Sequence, residues 1–376
     1  MSKKTSILIF TSKTGGGHVS LAEALRDELA DDYRIEILDP QPGIVHWHYR
    51  TVSRRALWLW ALEFQLVDTP ARSRAAHWVS ARLLNGYVAK ALRAHQPDIV
   101  LSTYPFLTCE VTHAMQQTGL KRPFGMLLSD PNSVHNAWLS ERRADAVLAT
   151  TRETYAQAAA AGFSEQQLQL TGWPVRAQFY RAESYSRQEI LTRLNLDPQR
   201  FTVFLQGGGE GAARFAQTVD NVHKVENSQS ILAAGTNQEL IRRYQGTPRL
   251  SVLPFTKEIA PYMAAADVVM GKAGPNMLFE SVSLGRPFIA TAYIPGQEQG
   301  NLDFIQRYSL GWVALEAQAQ FELIARLAQQ PAEITSMTAG VQAYQTWNNQ
   351  ATRSIRPLIA RLKNLNSANQ GNPSTG

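Results

Sequence analysis

Short apolar runs recur along the chain, each closed by glycine, proline or polar residues and followed by apolar positions at helical spacing. Residues 6–11 predict a first strand, and 19–30 predict the helix after it. Residues 34–38, 99–102, 124–128 and 146–149 read as further strands, apolar on both faces, as in a parallel sheet covered by helices. After a linker-like segment at 171–180 the pattern restarts, with strands at 201–205, 230–233 and 250–253. A strand–turn–helix–strand unit then follows: strand 267–271, turn 272–275, helix 277–284 ended by Gly285, and strand 287–292. Helices at 320–328 and 351–362 close the chain. The fold class is therefore α/β: two doubly wound domains facing across a cleft, at 1–175 and 176–363, with a disordered polar tail at 364–376.

A chain of 376 residues is long for one core, which supports two domains. The single cysteine, Cys109, excludes an intramolecular disulfide and fits a reducing compartment. The opening residues lack the apolar run of a signal peptide, and no apolar run approaches the roughly 20 residues of a membrane span. The net charge of +6 is more informative by position than by size. Between His46 and His95 stand eight basic residues, Arg54 and Arg55 among them, against only Glu63 and Asp68. Trp47, Trp58, Trp60 and Trp78 fall in the same window. Basic residues interleaved with large aromatics suit anionic lipid headgroups; nucleic acid is the rival partner, and a helical subdomain with a solvated basic face is the plainer alternative.

Three glycine loops follow predicted strands. Gly15-Gly16-Gly17 lets backbone approach a ligand and sets His18 at a helix start, where the dipole favours its neutral, proton-accepting form. Gly207-Gly208-Gly209 offers amides for a pyrophosphate. Ala273-Gly274-Pro275-Asn276 leaves a helix N-terminus bare at a strand end, with Lys272 placed to offset phosphate charge. Glu280 could bond a ribose hydroxyl, and Gln297, Glu298, Gln299 and Asn301 carry donors and acceptors for a sugar. Together these suggest a nucleotide sugar. Asp130 and His135, after the strand at 124–128, add a candidate general base or its orienting partner. No Asp-x-Asp pair occurs, so no metal is expected; amides and helix dipoles would meet the leaving diphosphate.

The motifs GGGH (15–18), SDPNSVHNAW (129–138), GWPVRAQF (172–179), QGGGEG (206–211), KAGPNMLFES (272–281) and YIPGQEQGN (293–301) resemble the monogalactosyldiacylglycerol synthase group of glycosyltransferase family 28, which includes processive diacylglycerol glucosyltransferases. The resemblance implies the GT-B architecture of two Rossmann-like domains, acceptor on the first and UDP-sugar on the second. It implies inverting transfer of galactose or glucose from UDP-hexose to diacylglycerol, with no cofactor, giving a β-glycosyldiacylglycerol. It places His18 and Asp130 as acceptor-activating residues, Gly208, Gly209, Ala273 and Gly274 at the diphosphate, and Asn276 beside it. It further places Glu280 at the ribose, Phe255 at the uracil, and Gln297, Glu298 and Asn301 at the sugar. Trp58, Trp60, Arg54, Arg55, Tyr104 and His135 fall in the acceptor and membrane-docking part. Asn276-Met277 stands where members commonly have Gly-Thr, and Tyr104 where plant members tend to have histidine. The expected setting is the cytoplasmic face of the cell membrane, held peripherally by anionic lipids and not by nucleic acid. A polyprenol or other lipid acceptor, or UDP-sugar 2-epimerisation, is the alternative.

Overall fold

The computed structural model describes residues 4–14, 16–55, 57–207 and 212–371; side chains at 48–50, 53–58, 60, 61, 63, 212–214 and 368–371 fall outside the description. The chain forms two compact units, one of residues 1–176 with 348–376, the other of 177–347.

The first unit holds six parallel strands: β1 Ser6–Phe10, β2 Arg34–Leu38, β3 Ile99–Ser102, β4 Phe124–Leu128, β5 Ala146–Ala149 and β6 Leu168–Leu170, in the order β2-β1-β3-β4-β5-β6. β1, β3, β4 and β5 are buried along their whole length, which is why they read as unbroken apolar runs. The chain leaves β1 for β2 on one side and crosses to β3 on the other. The loops after β1 and β3 therefore lie together at a topological switch point, where open α/β sheets bind ligands.

The second unit holds β7 Phe201–Gln206, β8 Ser228–Gly235, β9 Leu250–Pro254, β10 Val268–Lys272, β11 Phe288–Ala292 and β12 Gly311–Val313, in the order β12-β11-β10-β7-β8-β9. This is the Rossmann order read from the far edge, and its switch point joins the loops after β7 and β10. β7 and β10 approach closely at Gly271, where a Cβ would stand 2.3 Å from the Gln206 carbonyl oxygen. Only glycine fits there. The short edge strands β6 and β12 have no clear apolar run in the sequence.

The basic, tryptophan-bearing window forms three helices, Gly43–Arg55, Leu57–Val67 and Pro70–His95, inserted between β2 and β3. Thr69 caps the last of them, its hydroxyl accepting from the Arg72 amide at 3.4 Å, with Pro70 in the first turn.

The end of the chain departs from the domain boundary read in the sequence. The helices Pro331–Thr352 and Ile355–Gly371 carry the chain past 347 and into the first unit, and helix continues through most of the expected tail. Ile355, Leu358, Ile359 and Leu362, at helical spacing, are buried there. The Asn348 amide both accepts from the Trp173 backbone N–H at 2.7 Å and donates to its carbonyl at 3.0 Å. Arg356 pairs with Glu28 and Asp32. An apolar stripe says that a helix packs, but not on which of two sheets.

Candidate active site

In the first unit the helix Gly17–Leu29 starts from Gly16, whose φ of 77° needs glycine, and no side chain caps that start. His18 sits in its first turn, half-buried at the β1/β3 switch point. Its Nδ1 lies 2.8 Å from the Thr103 carbonyl oxygen. A carbonyl can only accept, so Nδ1 carries the proton and Nε2 keeps its lone pair. Burial pushes the imidazole pKa down to about 4, more than the Thr103 carbonyl raises it. The side chain is therefore a neutral base with a fixed tautomer. Tyr104 packs edge-on to it at 4.9 Å, and burial lifts the Tyr104 phenol to about 12.

Ser129, just after β4, places its hydroxyl 3.3 Å from the same His18 nitrogen, and Asp130 follows it in the chain. Burial raises the Asp130 carboxyl to about 6, against the opposing influence of His135. One Asp130 oxygen accepts from the His135 backbone N–H at 3.2 Å. The His135 side chain is otherwise occupied. Its Nδ1 accepts from the Ala137 amide at 3.0 Å, capping the helix Asn136–Leu139, and its Nε2 lies 3.2 Å from the Phe64 carbonyl. It is 1% exposed and fastens the helix Leu57–Val67, so it has no free surface to offer a lipid.

Of the docking residues read from the sequence, Arg54, Arg55, Trp58 and Trp60 lie in helices, but their side chains are outside the described residues. The same helices present Ile44, Trp47, Leu62, Leu66, Trp78 and Leu83 as exposed apolar side chains. Among the described residues no helix is long and apolar enough to cross a membrane.

In the second unit Gly208 and Gly209 lie outside the described residues. The loop after β10 is described in full. The helix Pro275–Ser283 begins at Gly274, which has no side chain to cap it, at the β7/β10 switch point. Ala273 is buried, Asn276 half-buried, and Glu280 buried in the helix. Asn301 is 3% exposed and donates to the Ala273 carbonyl at 2.8 Å. Glu298, 4% exposed, pairs with Lys272 and accepts from the Ile294 amide at 2.8 Å. Lys272, read as a phosphate counter-charge, is thus met by a carboxylate. Glu298 and Asn301 brace the loop from behind, while Gln297 is half-buried beside them. Phe255, just after β9, is 67% exposed, an aromatic face open to stacking.

Thr103, Ser129 and the buried His77–Glu110 pair carry no sequence signal, because their partners lie far away in the chain. His77 Nδ1 lies 2.9 Å from a Glu110 oxygen and Nε2 2.9 Å from the Ala137 carbonyl. Although burial disfavours the charged ring, its bonds to Cys109 and Glu110 and the Glu110 charge raise its pKa to about 10. Among the described residues no three His, Cys, Asp or Glu side chains cluster closely enough to share a metal ion.

Two Rossmann-like units, each with its own topological switch point, define the class: the two-domain GT-B fold. Solved structures agree. A UDP-glucosyltransferase from Polygonum tinctorium aligns over 96% of this chain and 99% of its own, with TM-score 0.65 and 12% identity. Anabaena HepE, solved with UDP and glucose, aligns over 95% and 100%, with TM-score 0.58 and 15% identity. Residues 18–175 match the monogalactosyldiacylglycerol (MGDG) synthase model, and 202–339 match the glycosyltransferase family 28 C-terminal domain. Monogalactosyldiacylglycerol synthase 3 of Arabidopsis thaliana is 29% identical, across 80% of this chain and 69% of its own. A probable monogalactosyldiacylglycerol synthase 2 of Oryza sativa is 27% identical, across 88% and 82%. The chain belongs to the monogalactosyldiacylglycerol synthase group of glycosyltransferase family 28.

Proposed function

We propose that this chain transfers a hexose, galactose or glucose, from a UDP-sugar to the free hydroxyl of diacylglycerol, with inversion to a β-glycoside. The observation that carries the reading is the fixed tautomer of His18, an unprotonated Nε2 at the switch point of the first unit. The acceptor O–H proton passes to Nε2 as its oxygen bonds to the anomeric carbon. The bond from that carbon to the diphosphate breaks, and UDP leaves with the electron pair. Asp130 is a partner charge that steadies the imidazolium formed, since an anion beside a developing cation lowers the barrier. Amides at the start of the helix Pro275–Ser283, with the loop at 207–211, receive the diphosphate without a metal. Phe255 stacks on the uracil, Glu280 meets the ribose, and Gln297 meets the sugar, on a loop that Glu298 and Asn301 hold in shape.

The exposed apolar residues on the inserted helices support docking at the cytoplasmic face of a membrane, where the acceptor resides. A UDP-sugar 2-epimerase has no use for such a face. Turnover by His18→Ala and Asp130→Asn tests the assignment. A loss of about 100-fold or more is expected for His18→Ala, the usual worth of a general base, and a smaller loss for Asp130→Asn. Wild-type turnover in both variants would refute it.

A further inference from the structure

Phe255, the aromatic face assigned to the uracil, opens a short turn, 255–259, between β9 and the helix Ala260–Ala264. Pro254, Phe255, Lys257 and Glu258 are exposed, so burial does little to fix this turn. Within it the Thr256 hydroxyl accepts from the Glu258 amide at 3.1 Å. One side chain from far away in the sequence grips the turn at two points. The Gln178 amide donates to the Lys257 carbonyl at 2.8 Å and accepts from the Ala260 N–H at 3.0 Å. Ala260 is fully buried and starts a helix that has no side-chain cap at Ile259. Its N–H is an orphan donor that Gln178 satisfies. A primary amide both donates and accepts through one planar group, whereas a carboxylate has no donor for the Lys257 carbonyl. Gln178 is itself held: it sits in the turn Ala177–Tyr180 beside the buried Phe179, and its backbone carbonyl accepts from the Tyr185 hydroxyl at 2.9 Å.

We propose, resting on the UDP-sugar reading of the second unit, that Gln178 is a positioning residue for the nucleobase. It holds the turn 255–259 so that the Phe255 ring is in place before the donor arrives. A ring 67% exposed on an unbraced turn must be ordered by the ligand, and that ordering subtracts from the stacking free energy. With the turn fastened at Lys257 and Ala260, more of the stacking appears as affinity. Gln178 acts through the turn and not on the reacting bond, so the effect falls on donor binding and not on the chemical step. The diphosphate end of the donor, at Ala273, Gly274 and Asn276, is carried by a different loop and is independent of it.

The test uses the full chain, with UDP as the probe in calorimetry and UDP-hexose in steady-state kinetics. The variant Q178M keeps the reach of the side chain and removes both bonds. Circular dichroism checks that it folds, and Q178A serves if it does not. UDP should bind about tenfold more weakly, the scale of one to two neutral hydrogen bonds. KM for UDP-hexose should rise by a similar factor, with kcat within about twofold of wild type. Two double variants separate a role through the ring from general loosening of the unit. Q178M/F255A should bind UDP within about twofold of F255A alone, because the ring through which Gln178 acts is gone. Q178M/N276A should show the product of the two single losses, because the diphosphate end is independent. Unchanged UDP binding in Q178M, or a loss that multiplies in full with that of F255A, overturns the role given to Gln178. Absence of UDP binding in folded wild type overturns the donor-site reading and this role with it.

Discussion

The pH dependence of turnover separates the two candidate bases, because burial moves them in opposite directions. His18 is driven down to about 4 and Asp130 up to about 6. Near pH 5, a base with pKa about 4 is about 90% in its proton-accepting form, whereas one with pKa about 6 is about 10% so. The predicted gap is therefore about ninefold at a single pH. The assay is kcat/KM for UDP-hexose with diacylglycerol in vesicles, from about pH 4.5 to 8, since this ratio reports the free enzyme's groups. With His18 as base the profile drops through about pH 6 only by the smaller loss expected for Asp130→Asn, as that partner charge is neutralised, and falls fully only as pH approaches 4. Stability must be followed in parallel. A histidine lowered in the fold adds stability that is complete above about 6.5 and is lost as pH falls through about 4. Circular dichroism across the same range removes that contribution. In Asp130→Asn the step near pH 6 should vanish and the fall toward pH 4 remain; abolished turnover in folded Asp130→Asn, with the step near pH 6 kept in His18→Ala, would refute the role given to His18 and assign it to Asp130.

Replacing Phe255 by Ala should raise KM for UDP-hexose by about 5- to 150-fold with kcat little changed, the worth of one aromatic–base stack, read by steady-state kinetics. Gly271→Ala should cost about 1–3 kcal/mol or more, because the new methyl meets the Gln206 carbonyl, and a denaturant melt checks it. His77→Leu strands the Glu110 carboxylate in a buried site, so a loss of about 3–5 kcal/mol is expected in the same melt. In the wild type, the His77 contribution is complete below about pH 6.5 and fades as pH rises through about 10; alkaline melts should be flatter in the variant. Leu83→Gln, fully soluble in its effect on the fold, should weaken vesicle binding at high salt, where charge is screened and apolar contact remains.

Ten of the twelve strands among the described residues were legible, because a buried parallel strand is an unbroken apolar run between turn residues. The three-residue edge strands β6 and β12 were not, since a run so short has no period. The helices at 19–30, 277–284, 320–328 and 351–362 were legible, while the long helices Pro70–His95 and Pro331–Thr352 were not, and docking stayed hidden: Ile355, Leu358, Ile359 and Leu362 reveal a stripe without naming the sheet it covers. At the site, local motifs placed His18, Asp130 and the uncapped helix after Ala273-Gly274. Pairings across sequence distance stayed hidden. Neither the Thr103 carbonyl that sets the His18 tautomer nor the salt bridge from Glu298 to Lys272 leaves a trace along the chain. His135 looked chemical in SDPNSVHNAW and is a cap, because the same ring that suits catalysis also suits an orphan amide.

The most direct measurement is the product itself. Purified chain is incubated with diacylglycerol vesicles and, in turn, UDP-galactose and UDP-glucose, and the lipids are read by mass spectrometry and proton NMR. The expected result is a monohexosyldiacylglycerol whose anomeric coupling is that of a β-glycoside, with UDP released in equal amount. An α-linked product, hexose transferred only to another lipid, or a UDP-sugar epimer with no glycolipid would contradict it.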